Sequence, residues 1–243
     1  MDDAGRLATI AAMPERDPGT RSRERLRPVL PKNDRGLFAL AFVAAGTSIA
    51  ALLAHAAGIV RMPFTVSFVT LPGLVLLLSL MVWAGRAQKA LLFNRLWVGT
   101  VGGFLGLIGY DGIRWIIQIA FPIGFDAFSA IRGFGTLMTG KPPDHAAAIA
   151  AGWAYHATNG WTFGVVYAIV AGPARWWWGL IWGVTLEVAM ILIYPALFRV
   201  RAYEAFLVVS IAGHVVYGSI LGWWCRRHAL SSTDSGCSPA TVA

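Results

Sequence analysis

The chain has 243 residues, of which 57% are hydrophobic and 13% charged, about half the charged share of soluble domains. That composition excludes an ordinary soluble enzyme and points to a polytopic helical membrane protein embedded in a lipid bilayer. The net charge of +8 does not imply nucleic acid, because the basic residues are spread over loops and an N-terminal tail, where they suit topology and anionic headgroups.

Residues 1–35 are rich in Arg, Pro, Asp and Glu and read as a disordered, basic cytoplasmic tail. The opening Met1-Asp2-Asp3 has the wrong charge for a cleavable signal peptide, and the first apolar patch, Leu7 to Met13, is short. Six membrane-length apolar segments follow, at about 36–60, 64–83, 96–121, 146–171, 177–198 and 205–224. Helices are the natural solution, since all their backbone groups pair internally. The expected fold is therefore an all-α integral membrane protein, a six-transmembrane-helix bundle. Pro72 and Pro195 should kink or end their helices. Residues 122–145 mix aromatics with isolated charges before Lys141-Pro142-Pro143-Asp144, which suggests an outer-side interfacial or re-entrant segment and a stiff turn. Residues 225–243 form a C-terminal tail.

Flanking charge sets the orientation. With the N-terminus inside, cytoplasmic segments hold fourteen Lys and Arg: eight in the tail, then Arg86, Lys89, Arg95, Arg175, Arg226 and Arg227. The outer loops hold five: Arg61, Arg132, Lys141, Arg199 and Arg201. Both termini are expected in the cytoplasm. There Cys225 and Cys237 stay reduced, and they lack metal-ligand spacing. The Trp176-Trp177-Trp178 and Trp223-Trp224 clusters sit at helix ends beside Arg, as interface anchors do.

Within the spans, two segments read His, three residues, Gly, three residues, Gly: His156-Gly160-Gly164 and His214-Gly218-Gly222. Between them lies the mirror order Gly179-Gly183-Glu187. His156 lies about ten residues from the outer end of its span, His214 about nine, and Glu187 about ten from the inner end of its own. At about 1.5 Å per residue, all three fall near mid-membrane. Every glycine stripe then falls in the cytoplasmic leaflet, where small residues let helices approach closely. In the third span Gly99 and Gly103 precede Asp111, with Arg114 three residues further on, close enough for an intrahelical ion pair. Spans three and four thus give an acid helix and then a His helix, and spans five and six repeat that order. This suggests an internally duplicated two-helix unit.

Ionisable groups at mid-membrane are function candidates by default. A carboxyl there either stays protonated or pairs with a cation, and a His–Glu pair can exchange one proton. His156, Glu187 and His214 are therefore the expected proton relay or substrate site. Asn159 and Tyr217 share the faces of the two histidines, three residues on. Asp111 and Arg114 are expected as a structural ion pair that gates or locks the bundle. His55, alone in the first span, reads as a packing residue.

The segments His156-x6-Phe163-x3-Tyr167, Pro173, Trp178-Gly179-Leu180 and Gly213-His214-x2-Tyr217-Gly218 resemble YagU-like small bacterial inner-membrane proteins. The likeness covers about residues 146–224. It departs at Glu187, where that family has a different pattern of polar residues. The resemblance implies a multi-pass bacterial inner-membrane protein and no specific reaction.

Three functional classes follow. The first is a proton-linked small-solute transporter or permease using the His/Glu site. The second holds a cofactor: a b-type haem between His156 and His214, or a divalent metal on His156, His214 and Glu187. No cofactor at all is the simpler expectation. The third is a non-catalytic assembly or stress-related subunit, working as a homo-oligomer or with a membrane partner protein. Enzymatic chemistry finds little support, since no nucleophile elbow, H-E-x-x-H helix or phosphate loop occurs.

Overall fold

A computed structural model describes residues 34–197 and 203–231, with side-chain detail for 34–193 and 206–231. The N-terminal tail, the loop bearing Arg199 and Arg201, the side chain of Pro195, and Cys237 lie outside the described residues.

Seven helices and no strand occur among the described residues: α1 (Arg35–Ala56), α2 (Met62–Arg86), α3 (Ala90–Ala120), α4 (Ser129–Thr139), α5 (Ala146–Val170), α6 (Trp177–Leu197) and α7 (Tyr203–His228). Four are long and apolar enough to cross a membrane: α1, α2, α3 and the stretch Phe206–His228 of α7. In α6 the apolar stretch Trp177–Ile193 is shorter. Large apolar side chains such as Phe68, Val75, Ile108, Ile119 and Leu192 are exposed, as they are on helices whose solvent is lipid. The architecture is that of a helical membrane protein.

Helix α3 is the central element, packed against α5 on one side and α7 on the other, with α6 lying on α7. Close approach is possible because glycines face each other across two of these contacts. A Cβ at Gly164 of α5 would stand 2.5 Å from Gly103 Cα of α3, and one at Gly222 of α7 would stand 2.9 Å from Gly179 Cα of α6. In the same way, a Cβ at Gly103 would meet Gly160 O, and one at Gly179 would meet Gly218 O. The two helix pairs therefore share one register, with Gly103 matching Gly179 and Gly164 matching Gly222. That register also matches Asp111 to Glu187, each eight residues beyond its glycine, and His156 to His214. The duplicated unit expected from the sequence is present as a repeated mode of packing.

Several boundaries shift. Helix α3 begins at Ala90, six residues before the expected start, so Arg95 lies inside it and not in a flanking loop. Its side chain is buried, and Nη1 donates to Ala168 O at 2.9 Å in the last turn of α5. Free carbonyls and the negative end of a helix suit a guanidinium there, and a long side chain can turn back along its helix to reach them. Pro72 does not end its helix: a π-helical segment at Val66–Thr70 precedes the proline and absorbs the disrupted ladder, and the helix runs on to Arg86.

Residues 122–145 contain α4, which packs along α5 through Ala130, Ile131 and Phe134. The helix stops at Gly140, whose φ of 67° is a left-handed cap that glycine adopts without steric penalty. His145 then opens α5, its Nδ1 accepting from Ala147 N at 3.1 Å.

Candidate functional site

The two acids each find a histidine. His156 Nε2 lies 3.0 and 3.1 Å from the two carboxylate oxygens of Asp111, joining α5 to α3. His214 Nδ1 lies 2.6 Å from Glu187 Oε2, joining α7 to α6. The expected triad of His156, Glu187 and His214 is thus resolved into two acid–His pairs, one in each copy of the helix pair. Asp111 was expected nearer the outer face than His156, and their contact puts them level.

The Asp111–Arg114 pairing is looser than expected. Arg114 Nη1 is 3.5 Å from Asp111 Oδ1, while its Nη2 donates to Ala127 O. The guanidinium lies over the Tyr110 ring at 4.9 Å and the Phe128 ring at 4.8 Å. Nearby, Gln118 Oε1 accepts from Ala127 N at 2.9 Å. The two side chains therefore hold the N–H and the C=O of one residue, Ala127, in the linker before α4. Arg114 locks the outer connection more than it neutralises Asp111.

The hydrogen positions in the inner pair follow from chemistry. Nδ1 of His214 is also 3.0 Å from Ser210 O, and a carbonyl can only accept, so Nδ1 carries the hydrogen. Ser210 Oγ donates to the same Glu187 oxygen at 2.7 Å. Glu187 is buried and held by two donors from one turn of α7, which offsets its desolvation.

Tyr110 connects the pairs. Its ring centroid is 5.6 Å from that of His156 and 4.9 Å, edge-on, from that of His214. Its hydroxyl lies close to the Ser210 side chain, which is bonded to Glu187. Tyr110 and Ser210 were not among the sequence candidates. The available signals were Tyr110 preceding Asp111 and Ser210 standing four residues before His214, on one helical face.

A cavity of about 50 Å³ opens between the pairs. Both histidines line it, together with Tyr110, Asn159, Tyr217 and Phe134 of α4, which packs on α5. It offers room for a few water-sized atoms. Tyr217 donates to Gly160 O at 2.7 Å, tying α7 to α5 beneath the imidazoles. Asn159 is buried with its Oδ1 unpartnered.

This geometry also tests the cofactor reading. The Tyr110 ring lies beside both imidazoles, and a cavity of this size does not fit a porphyrin between them. Among the described residues no three His, Cys, Asp or Glu side chains are arranged to hold a metal. Cys225 is a buried free thiol.

Fold and site together define a class: a helical membrane protein in which two like helix pairs each bring an acid–His couple to one small cavity. The chain belongs to DUF6789, a family of unknown function, whose pattern matches residues 93–234 and so takes in both pairs. No curated protein matches the chain, and no solved structure does.

Proposed function

We propose that the protein is a six-span, proton-linked carrier of a small solute, with its site at mid-bilayer between the two acid–His pairs. The observation that carries this reading is that His156–Asp111 and Glu187–His214 flank one cavity, with Tyr110 and Ser210 between them. Ionisable side chains inside a membrane protein that face a cavity mark solute and proton pathways. Repeated units with a shared site between them are a recurrent transporter design. Glu187 is the protonatable carboxyl, and the histidines are its proton partners.

In this reading α5 and α6 complete the six spans, and the excess of Lys and Arg puts both termini in the cytoplasm. The likeness to YagU-like proteins supports a bacterial inner membrane.

The test is solute-driven proton movement in proteoliposomes carrying an internal pH dye. Small amines, amides, alcohols and inorganic cations are added in turn. The carrier reading expects one class to change luminal pH in wild-type vesicles but not in protein-free or Glu187→Gln vesicles. A wild type indistinguishable from empty vesicles across the panel contradicts it. Reduced stability of Glu187→Gln with no transport in either protein would instead favour a purely structural role.

A further inference from the structure

Asn159 has a fixed orientation that the fold alone does not require. Tyr155 donates its hydroxyl proton to Ser48 O at 2.8 Å, so its oxygen can only accept. The Asn159 side chain lies beside that hydroxyl, where its amide nitrogen suits the acceptor. The amide oxygen is left as an acceptor with no partner on a residue that is 6% exposed and lines the cavity. A buried acceptor without a donor is costly, and ligands commonly satisfy such groups.

The other polar groups at the cavity are of the same kind. His156 turns Nε2 to Asp111, and His214 turns Nδ1 to Glu187. A neutral imidazole that gives its N–H to a carboxylate keeps a lone pair on its other nitrogen. His156 Nδ1, His214 Nε2 and Asn159 Oδ1 then make an acceptor set without a matching donor. The rest of the lining is largely aromatic, with Tyr110, Phe134, Phe163 and Tyr217. Aromatic faces attract cations.

Charge completes the argument. The groups around the cavity are Asp111 and Arg114 on α3, His156 on α5, Glu187 on α6 and His214 on α7. Arg132 of α4 is paired with Asp126. The Tyr110, Tyr155 and Tyr217 hydroxyls are neutral. With neutral imidazoles the site carries two negative charges and one positive. One monovalent cation balances it, and so does one proton on an imidazole.

We propose that the cavity binds ammonium, or a primary amine cation of similar size, in exchange for a proton on the acid–His pairs. Such a ligand is a pure donor, matches the acceptors, and fits a cavity of about 50 Å³. The proposal rests on the proton-linked reading and names its solute. Cation and proton compete for one charge balance, so they load alternately.

The test is thermal unfolding of the purified full chain in detergent, comparing ammonium chloride with sodium and tetramethylammonium chloride at equal ionic strength. Ammonium is expected to raise Tm beyond both other salts. The added stability should shrink as pH is lowered through the imidazole range, because bound protons exclude the cation. Asn159→Leu removes the acceptor and should abolish the shift, as should the smaller Asn159→Ala. No ammonium-specific shift in wild type overturns the proposal, as does an equal shift in Asn159→Leu. If Asn159→Leu fails to fold, the wild-type pH dependence and Asn159→Ala decide. Solute-driven proton flux for another class in the vesicle panel would sink the ammonium assignment while leaving the proton-linked reading standing.

Discussion

Ser210 donates to Glu187 Oε2 at 2.7 Å, and the Tyr110 hydroxyl lies close to the Ser210 side chain. Tyr110 is the neighbour in sequence of Asp111, so its hydroxyl stands between the acid–His pair of α3 and α5 and that of α6 and α7. Tyr110→Phe removes the hydroxyl and leaves both pairs in place. Its expected effect on stability is small, about 1 kcal/mol. Solute-driven proton movement in vesicles should fall at least tenfold. A variant that keeps wild-type flux would show that the pairs act separately.

The buried Glu187–His214 pair separates stability from function. Glu187→Ala leaves His214 and Ser210 without their acceptor and should destabilise by about 3–5 kcal/mol. Glu187→Gln retains an acceptor oxygen and should fold, yet it cannot release a proton. Denaturant or thermal melts of the two variants side by side check the difference.

Gly164 and Gly222 occupy matching places in the two copies. Gly164→Ala would push its methyl to 2.5 Å from Gly103 Cα, and Gly222→Ala would push its own into Trp176 O and to 2.9 Å from Gly179 Cα. Backbone cannot yield as a side-chain tip can, so each substitution should cost about 1–3 kcal/mol. Gly112, which has open space around it, is the control, and alanine there should be near neutral. Equal melts for all three variants would deny the close approach.

Much of this was legible in the chain. The spacing of Gly, His and acid along 3.6-residue helices fixed faces and depth, and from these came the duplicated unit. Helix partners were not legible. His156 lies closer in sequence to Glu187 than to Asp111, and only the three-dimensional order of α5, α3, α7 and α6 gives each acid its own histidine. Arg95 was misread for a related reason: hydropathy ends a span at a charge, whereas a long side chain can fold back to carbonyls inside the bundle. The roles of Tyr110 and Ser210 depend on contacts across helices, which no pattern of residue types carries.

Arg114 donates to the Ala127 carbonyl and Gln118 accepts from the Ala127 N–H. Arg114→Met keeps apolar bulk against Tyr110 and Phe128 but leaves the Ala127 carbonyl unsatisfied. The expected loss is about 1.5–3 kcal/mol, as for a charged hydrogen bond. Limited proteolysis should then cut residues 121–128 faster than in wild type. An unchanged cleavage rate would show that the linker is held by other contacts.

The central claim is that both acid–His pairs serve one proton-linked site. It is tested most directly by luminal pH recordings from vesicles containing wild type, Asp111→Asn or Glu187→Gln, each confirmed folded by its melt. Both variants should lose solute-driven proton movement, each as completely as the other, because either pair alone leaves the cavity without its exchange partner. Wild-type movement in either folded variant would contradict the account.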